Sequence, residues 1–272
     1  MSFAATPIAD AIAVEPVGEN RYRAELSDDY TVLGYPNGGY LQCVLANAAI
    51  AAASDDGAPH IHASSVATNF IKSPTVGPVM LSTKVRRIGR GVSFVAVALS
   101  QGEDVLTESL VTVSTFSESS QQRYLSEGIA IAPLDSCQTV APFEGFRLHD
   151  SLEVRYDLSM PKWWEGEVEG PGEIRAWMRL AEGGQWNALN VLFATDCLPP
   201  ATLSLGSTGW VPTLQLTSYL RRVPSSDWVA VRQWIRSIAD GVAEEHCEVF
   251  DESGELVASA TQIALVRFTQ GS

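Results

Sequence analysis

Gly91-Val92-Ser93-Phe94-Val95-Ala96-Val97-Ala98-Leu99, followed by Gly102-Glu103-Asp104-Val105-Leu106-Thr107 and closing at Phe116, decides the fold because the chain repeats it. The second version reads Gly241-Val242-Ala243-Glu244-Glu245-His246-Cys247-Glu248-Val249, then Gly254-Glu255-Leu256-Val257-Ala258-Ser259 and Phe268. Gly102 and Gly254 stand 152 positions apart, and so do Phe116 and Phe268. A period of that length marks a duplicated domain rather than a short solenoid unit. Where two copies of one fold differ at polar positions, the differences point to a site.

Working outward, each copy has the same order of elements. In the first, the strand Arg21 to Leu26 precedes the loop Gly34-Tyr35-Pro36-Asn37-Gly38-Gly39, in which Asn37 is placed to cap a helix. Tyr40 to Ile50 is apolar on nearly every side, the pattern of a buried helix. Ala63 to Ile71, Val79 to Ile88, Val92 to Ser100 and Leu106 to Phe116 read as strands, with Gly89-Arg90-Gly91 and Gln101 to Asp104 as hairpin turns. The second copy gives a strand at Arg175 to Leu180, a helix at Trp186 to Cys197, and strands at Thr213 to Arg221, Val229 to Ile238, Ala243 to Asp251 and Leu256 to Arg267. One buried helix and a run of antiparallel strands make an α+β layer, here expected twice. The expected boundaries are 1–120 for the first repeat, 121–145 for a linker rich in Ser, Gln and Pro, and 146–272 for the second. Lys162 to Gly172, with Trp163 and Trp164, reads as an insertion rather than core.

The 272 residues suffice for two domains with their own cores. A hydrophobic content of 46% and a charged content of 18% describe a globular chain. The net charge of −14 argues against nucleic-acid binding, which needs clustered cations. Met1 to Gly18 has no basic region and no long apolar run, so no signal peptide is read, and Ala46 to Ala53 is too short to span a membrane. Cys43, Cys137, Cys197 and Cys247 lie far apart, which predicts free, buried thiols in a reducing, cytoplasmic setting. No metal site is expected: His60 and His62 are two apart, and His149 and His246 are isolated.

A central helix wrapped by a long antiparallel sheet, present twice, resembles the tandem, or double, hot-dog fold. The second copy resembles the TesB-like (type II) acyl-CoA thioesterases. That family carries an Asp near the end of the second helix, a Thr opening the next strand and a Gln in the last. Here those positions hold Asp196 in Ala194-Thr195-Asp196-Cys197, Thr213 in Thr213-Leu214-Gln215-Leu216, and Gln262 in Val257-Ala258-Ser259-Ala260-Thr261-Gln262. The resemblance implies hydrolysis of a fatty acyl-CoA, with coenzyme A part of the substrate and no separate cofactor. It also implies that Asp196, Thr213 and Gln262 position the attacking water. Two alternatives keep the fold: a non-catalytic acyl- or acyl-CoA-binding module, and an acyl-CoA hydratase or dehydratase. Association into a homo-oligomer is left open.

Thioester hydrolysis needs a water near the carbonyl carbon, a proton acceptor and donors for the developing oxyanion. A carboxylate supplies the acceptor, while an amide and a hydroxyl orient the water. Setting the helices at an offset of 149 places Asp196 on Asn47, and the offset of 152 places Gln262 on Leu110. The first copy then lacks both groups, which predicts one active site per chain. Gly38 and Gly39 open the first helix. Their N–H groups are candidates to polarise the thioester carbonyl, with close packing as the alternative. Lys84, Arg86, Arg87 and Arg90, with Arg221 and Arg222, are candidates for the phosphates of coenzyme A, and solvated strand edges explain them equally well.

Overall fold

A computed structural model describes residues 5–117, 122–141 and 143–268. Part of the expected linker (residues 121 and 142) and the first four residues of the N-terminal stretch lie outside the described residues. A one-turn helix α1 (Ile8–Ala11) leads into β1 (Glu15–Gly18), β2 (Arg21–Leu26) and a small ladder of β3 (Thr31–Val32) with β4 (Tyr35–Pro36). Helix α2 (Gly38–Asp55) follows, then β5 (His62–Phe70), β6 (Gly77–Ile88), β7 (Val92–Gln101) and β8 (Asp104–Ser114). The second half has β9 (Leu152–Tyr156), β10 (Glu173–Leu180), α3 (Val191–Ala194), β11 (Thr213–Leu220), β12 (Val229–Ala239), β13 (Val242–Asp251) and β14 (Leu256–Leu265).

Twelve strands form one sheet in the order β1-β2-β6-β7-β8-β5-β11-β14-β13-β12-β10-β9, a palindrome about the β5/β11 junction. The duplication read in the sequence is thus a real pseudo-symmetry. Its outermost strands, β1 and β9, were not legible as strands. The sheet wraps α2, which runs for 18 residues and is buried on all sides from Tyr40 to Ala46, as its unbroken apolar sequence requires. Asn37 caps it, its Oδ1 accepting from the Tyr40 N–H at 3.0 Å. The four cysteines are free and buried. Among the described residues no helix is long and apolar enough to cross a membrane.

The second helix is far shorter than expected. Trp186 to Cys197 contains only the four α-helical residues Val191–Ala194. Side chains take over the backbone donors before it: Asn187 Oδ1 accepts from the Leu189 and Asn190 N–H groups, and Asn190 Oδ1 accepts from Asn187 N–H. Such local bonds compete with helix formation, and Pro199 and Pro200 bar continuation on the other side. The Lys162–Gly172 segment is also more closely integrated than an insertion. Trp163 and Trp164 are half-buried and pack with Phe143 and Tyr156 against the core. The expected linker is likewise fastened down, with Trp177 on the outer face of β10 donating to the Ala132 carbonyl at 2.9 Å.

Strand register corrects one equivalence. Glu245 on β13 faces Gln262 on β14, and the matching pair of the first half is Val95 and Val111. Leu110, aligned with Gln262 through the turn glycines, is 49% exposed on the opposite face, whereas Val111 is fully buried. The second hairpin turn is longer, closing from Asp251 to Glu255, where the first closes from Gln101 to Asp104. Gly102 and Gly254 therefore do not report the register of β8 against β14, and a one-residue slip changes the face. Asn47 stands mid-helix and gives its amide to the Ile12 carbonyl at 2.9 Å.

The two halves meet at β5 and β11, and Gln42 of α2 locks that seam from beneath. Its Nε2 donates to the Val66 carbonyl on β5 (3.0 Å) and the Leu216 carbonyl on β11 (2.9 Å), and its Oε1 accepts from Ser218 Oγ at 2.6 Å. Gln42→Leu should destabilise the protein by about 2–4 kcal/mol, because buried carbonyls and a hydroxyl lose their partner. Equilibrium urea unfolding checks this, and a change below about 0.5 kcal/mol, the scale of a neutral surface substitution, contradicts it.

Candidate active site

The N-terminus of α2 points at the turn that follows α3, and glycine allows the two to touch. A Cβ on Gly38 would lie 2.8 Å from Asp196 Oδ2, and one on Gly39 would lie 3.0 Å from both Asp196 Cβ and the Phe193 carbonyl oxygen. With no side chains there, the Gly39 N–H donates to Asp196 Oδ2 at 3.0 Å. Asn37 adds a second clasp, its Nδ2 donating to the Asp196 carbonyl oxygen at 2.7 Å and to Oδ2 at 3.1 Å. The Gly39 N–H is therefore engaged by the carboxylate rather than open to a carbonyl. Close packing and chemistry coincide at these glycines.

Asp196 lines a cavity of about 200 Å³ together with Asn37, Gly38, Thr213, Gln233, Glu245 and Gln262. Its other walls are mostly apolar and include Leu41, Phe70, Leu198, Leu203 and Trp210, the last in ring contact with Tyr35 at 5.4 Å. Thr213 opens β11 beside a bulge between Thr213 and Gln215, and its Oγ1 donates to Gln262 Oε1 at 2.8 Å. Bulges re-aim side chains in this way. Gln262 Nε2 in turn donates to Glu245 Oε1. Asp196, Thr213 and Gln262, far apart in sequence, thus share one cavity.

The basic residues do not. Arg86 and Arg87 line an open depression on the outer face of the first half with Lys84 and Leu110, Arg90 is exposed in the β6–β7 turn, and Arg222 is paired with Glu255. None of them lines the Asp196 cavity.

Glu245 was missed. It is 3% exposed and receives Gln233 Nε2 at 2.9 Å and the Ala201 N–H at 2.7 Å. The signal was present in the repeat: Gly91 and Gly241 set a 150-residue offset that puts Glu245 on Val95. An acid among the inward positions Ala243, Cys247 and Val249 of a strand departs from the apolar alternation.

Burial pushes the Asp196 carboxyl up to about 6 against the pull of the Gly39 N–H, the Asn37 amide and the Gly38 N–H. Burial likewise pushes Glu245 up to about 7, the Ala201 N–H and Gln262 opposing it and the nearby Asp196 charge adding to it. A carboxyl raised toward neutrality, with an amide–hydroxyl pair in the same cavity, is suited to accepting a proton from a bound water.

Residues 26–116 match the family model of the acyl-CoA thioesterase N-terminal domain, and residues 132–266 match that of the acyl-CoA thioesterase C-terminal domain. Among solved structures, the chain is similar to a proposed thioesterase II from Thermobifida fusca, with a TM-score of 0.88 at 29% identity, covering 97% of this chain and 99% of that one. A hot-dog protein of unknown function from Alicyclobacillus acidocaldarius shares the fold with a TM-score of 0.81 at 18% identity, covering 96% and 97%. So does the acyl-CoA thioesterase II TesB2 of Mycobacterium marinum, with a TM-score of 0.70 at 18% identity, covering 97% and 100%.

The raised Asp196 carboxyl has a consequence for stability. The group ionises near 3.8 in the unfolded chain and about 6 in the folded one, so the folded state holds the proton more tightly. The resulting stabilisation is full below pH 3.8, declines as pH rises, and is gone above about 6. Asp196→Asn, which does not titrate, should therefore gain in Tm on the parent between pH 4 and pH 7. A Tm difference that stays constant over that range would falsify the burial account.

Proposed function

From the premise that the chain belongs to the acyl-CoA thioesterase family and is a thioester hydrolase, we propose that it cleaves fatty acyl-CoA by direct attack of a water held by Asp196, Thr213 and Gln262. The convergence of these three side chains on one apolar-walled cavity carries this reading. Asp196 takes a proton as the water oxygen bonds to the thioester carbonyl carbon. The tetrahedral intermediate then expels coenzyme A as the thiolate, which recovers the proton, and the fatty acid leaves as the second product. No acyl-enzyme forms and no separate cofactor takes part. With one N–H given to Glu245, the Gln262 amide keeps a second N–H to donate to the water or the oxyanion, and Thr213, whose hydroxyl hydrogen goes to Gln262, keeps lone pairs that accept from the water. Leu41, Phe70 and Trp210 supply apolar wall for the acyl chain.

Val95 and Val111 occupy the first half's counterpart of Glu245 and Gln262, which supports a single active site per chain. Release of free thiol from a panel of straight-chain acyl-CoAs, followed with a thiol-reactive dye, tests the activity. Asp196→Asn should lower kcat by ~10²–10⁴-fold, the usual worth of a general base, and leave no second activity. Near-parental turnover by the folded variant sinks the assignment. Gln262→Leu should lower kcat, and an effect on KM alone would mean that Gln262 only binds substrate.

A further inference from the structure

Neither the proposed mechanism nor the packing of the fold calls for a carboxyl at position 245. The first half builds the same ladder with Val95 and Val111, both fully buried. Putting Glu245 and Gln262 there instead carries a desolvation cost, which donors to both carboxylate oxygens offset.

The donors are present, and two of them cannot reverse. The Ala201 N–H, on Oε2 at 2.7 Å, can only donate. Gln233 must turn its nitrogen toward Glu245 Oε1 because the same Nε2 also donates to the Pro199 carbonyl at 3.0 Å. Glu245 is therefore held as an acceptor at both oxygens, which is the ionised form. Gln262 then has one choice: nitrogen toward Glu245, and Oε1 toward Thr213 Oγ1 at 2.8 Å. Through Ala201 and Gln233, the same carboxylate also ties down the Pro199–Ala201 turn immediately after Asp196.

Resting on the reading of Asp196, Thr213 and Gln262 as the water-holding set, we propose that Glu245 is a positioning residue of the hydrolytic site, whose carboxylate fixes the direction of the Gln262 amide and hence of the Thr213 hydroxyl. The groups facing it are Gln233 from β12, Gln262 from β14, the Ala201 N–H, and the charge of Asp196 from the turn after α3, while Cys247 is its titratable neighbour on β13. Among the described residues no ion pair joins it to a cation. Burial and Asp196 push its carboxyl up to about 7, so the required ionised form is lost as pH falls through neutrality.

Glu245→Gln tests the idea with nearly the same shape. Whichever way the new amide turns, its NH₂ meets a donor that cannot reverse. With the best acyl-CoA of the panel, kcat should fall ~10²-fold with KM within about twofold, the scale of a misplaced reacting group. The parent's kcat/KM should fall on the acid side with two ionisations, log slope approaching 2, and the variant's with one. Glu245→Asp, which stays an acceptor, should keep the steeper limb and recover part of kcat. Unchanged kcat in Glu245→Gln, or the same limb in parent and variant, overturns the proposal. If Glu245→Gln does not fold, Glu245→Asp decides alone: lower kcat at constant KM supports it, and parental kcat overturns it. Asp196→Asn is the control for the underlying reading. If Asp196→Asn is inactive and Glu245→Gln is not impaired, only the role of Glu245 falls. A parent that hydrolyses no acyl-CoA removes both.

Discussion

The contact on which the rest depends is a carboxylate seated on the end of a helix from the other half of the chain. Asp196 follows α3 in the second half, and the peptide hydrogens it receives belong to α2 in the first. Helix N-termini favour negative charge, while removal from water disfavours it. Burial wins here, and the group settles near 6 rather than near 3.8. Gly38 and Gly39 make this possible by being small where a Cβ would collide, and Asn37 serves both as cap and as clasp. One short contact thus joins the halves, sets their spacing and tunes the proposed base.

Around that contact the molecule divides its labour. In the first half Val66, Val95, Val97 and Val113 are fully or almost fully buried against α2, and the buried polar groups among its strands are small hydroxyls such as Thr68, Ser93 and Ser109. Each such valine contributes about 1.5–3 kcal/mol of burial. The second half carries the buried Gln233 and Glu245, the half-buried Gln262 and a helix cut to one turn. The halves are fastened by the Gln42 bonds and by the rings of Tyr30, Tyr40 and Phe193, stacked at 4.8 Å and edge-on at 5.3 Å.

Most of this architecture was legible in the sequence. The repeat, the strand runs, the buried first helix and its Asn37 cap follow from patterns that act over short distances. The second helix was overread because Val191 to Ala194 is apolar enough to suggest a longer element, while its shortening depends on side-chain bonds of Asn187 and Asn190. Among the site residues, Asp196, Thr213 and Gln262 were found through family resemblance. Their meeting depends on a bulge at Thr213 and on glycines 157 and 158 residues before Asp196 in sequence, which no local pattern encodes. Glu245 is readable in the repeat, as an acid standing where the other copy has Val95, but its partnership with Gln262 depends on the β13–β14 register, which the longer second hairpin turn shifts by one residue. The basic clusters lie away from the cavity: charge in a strand says nothing about which face of the sheet the cavity lies on.

The palindromic sheet has a last consequence for how such a protein can change. In an assembly of two identical chains, every substitution appears twice, once on each side of the dyad. A buried acid that sharpens one cavity would burden its mirror image with the same desolvation. Joining the copies in one polypeptide breaks that bond: position 245 holds Glu while its image at 95 holds Val. Fusion gives the molecule a side free to specialise and a side free to stay inert.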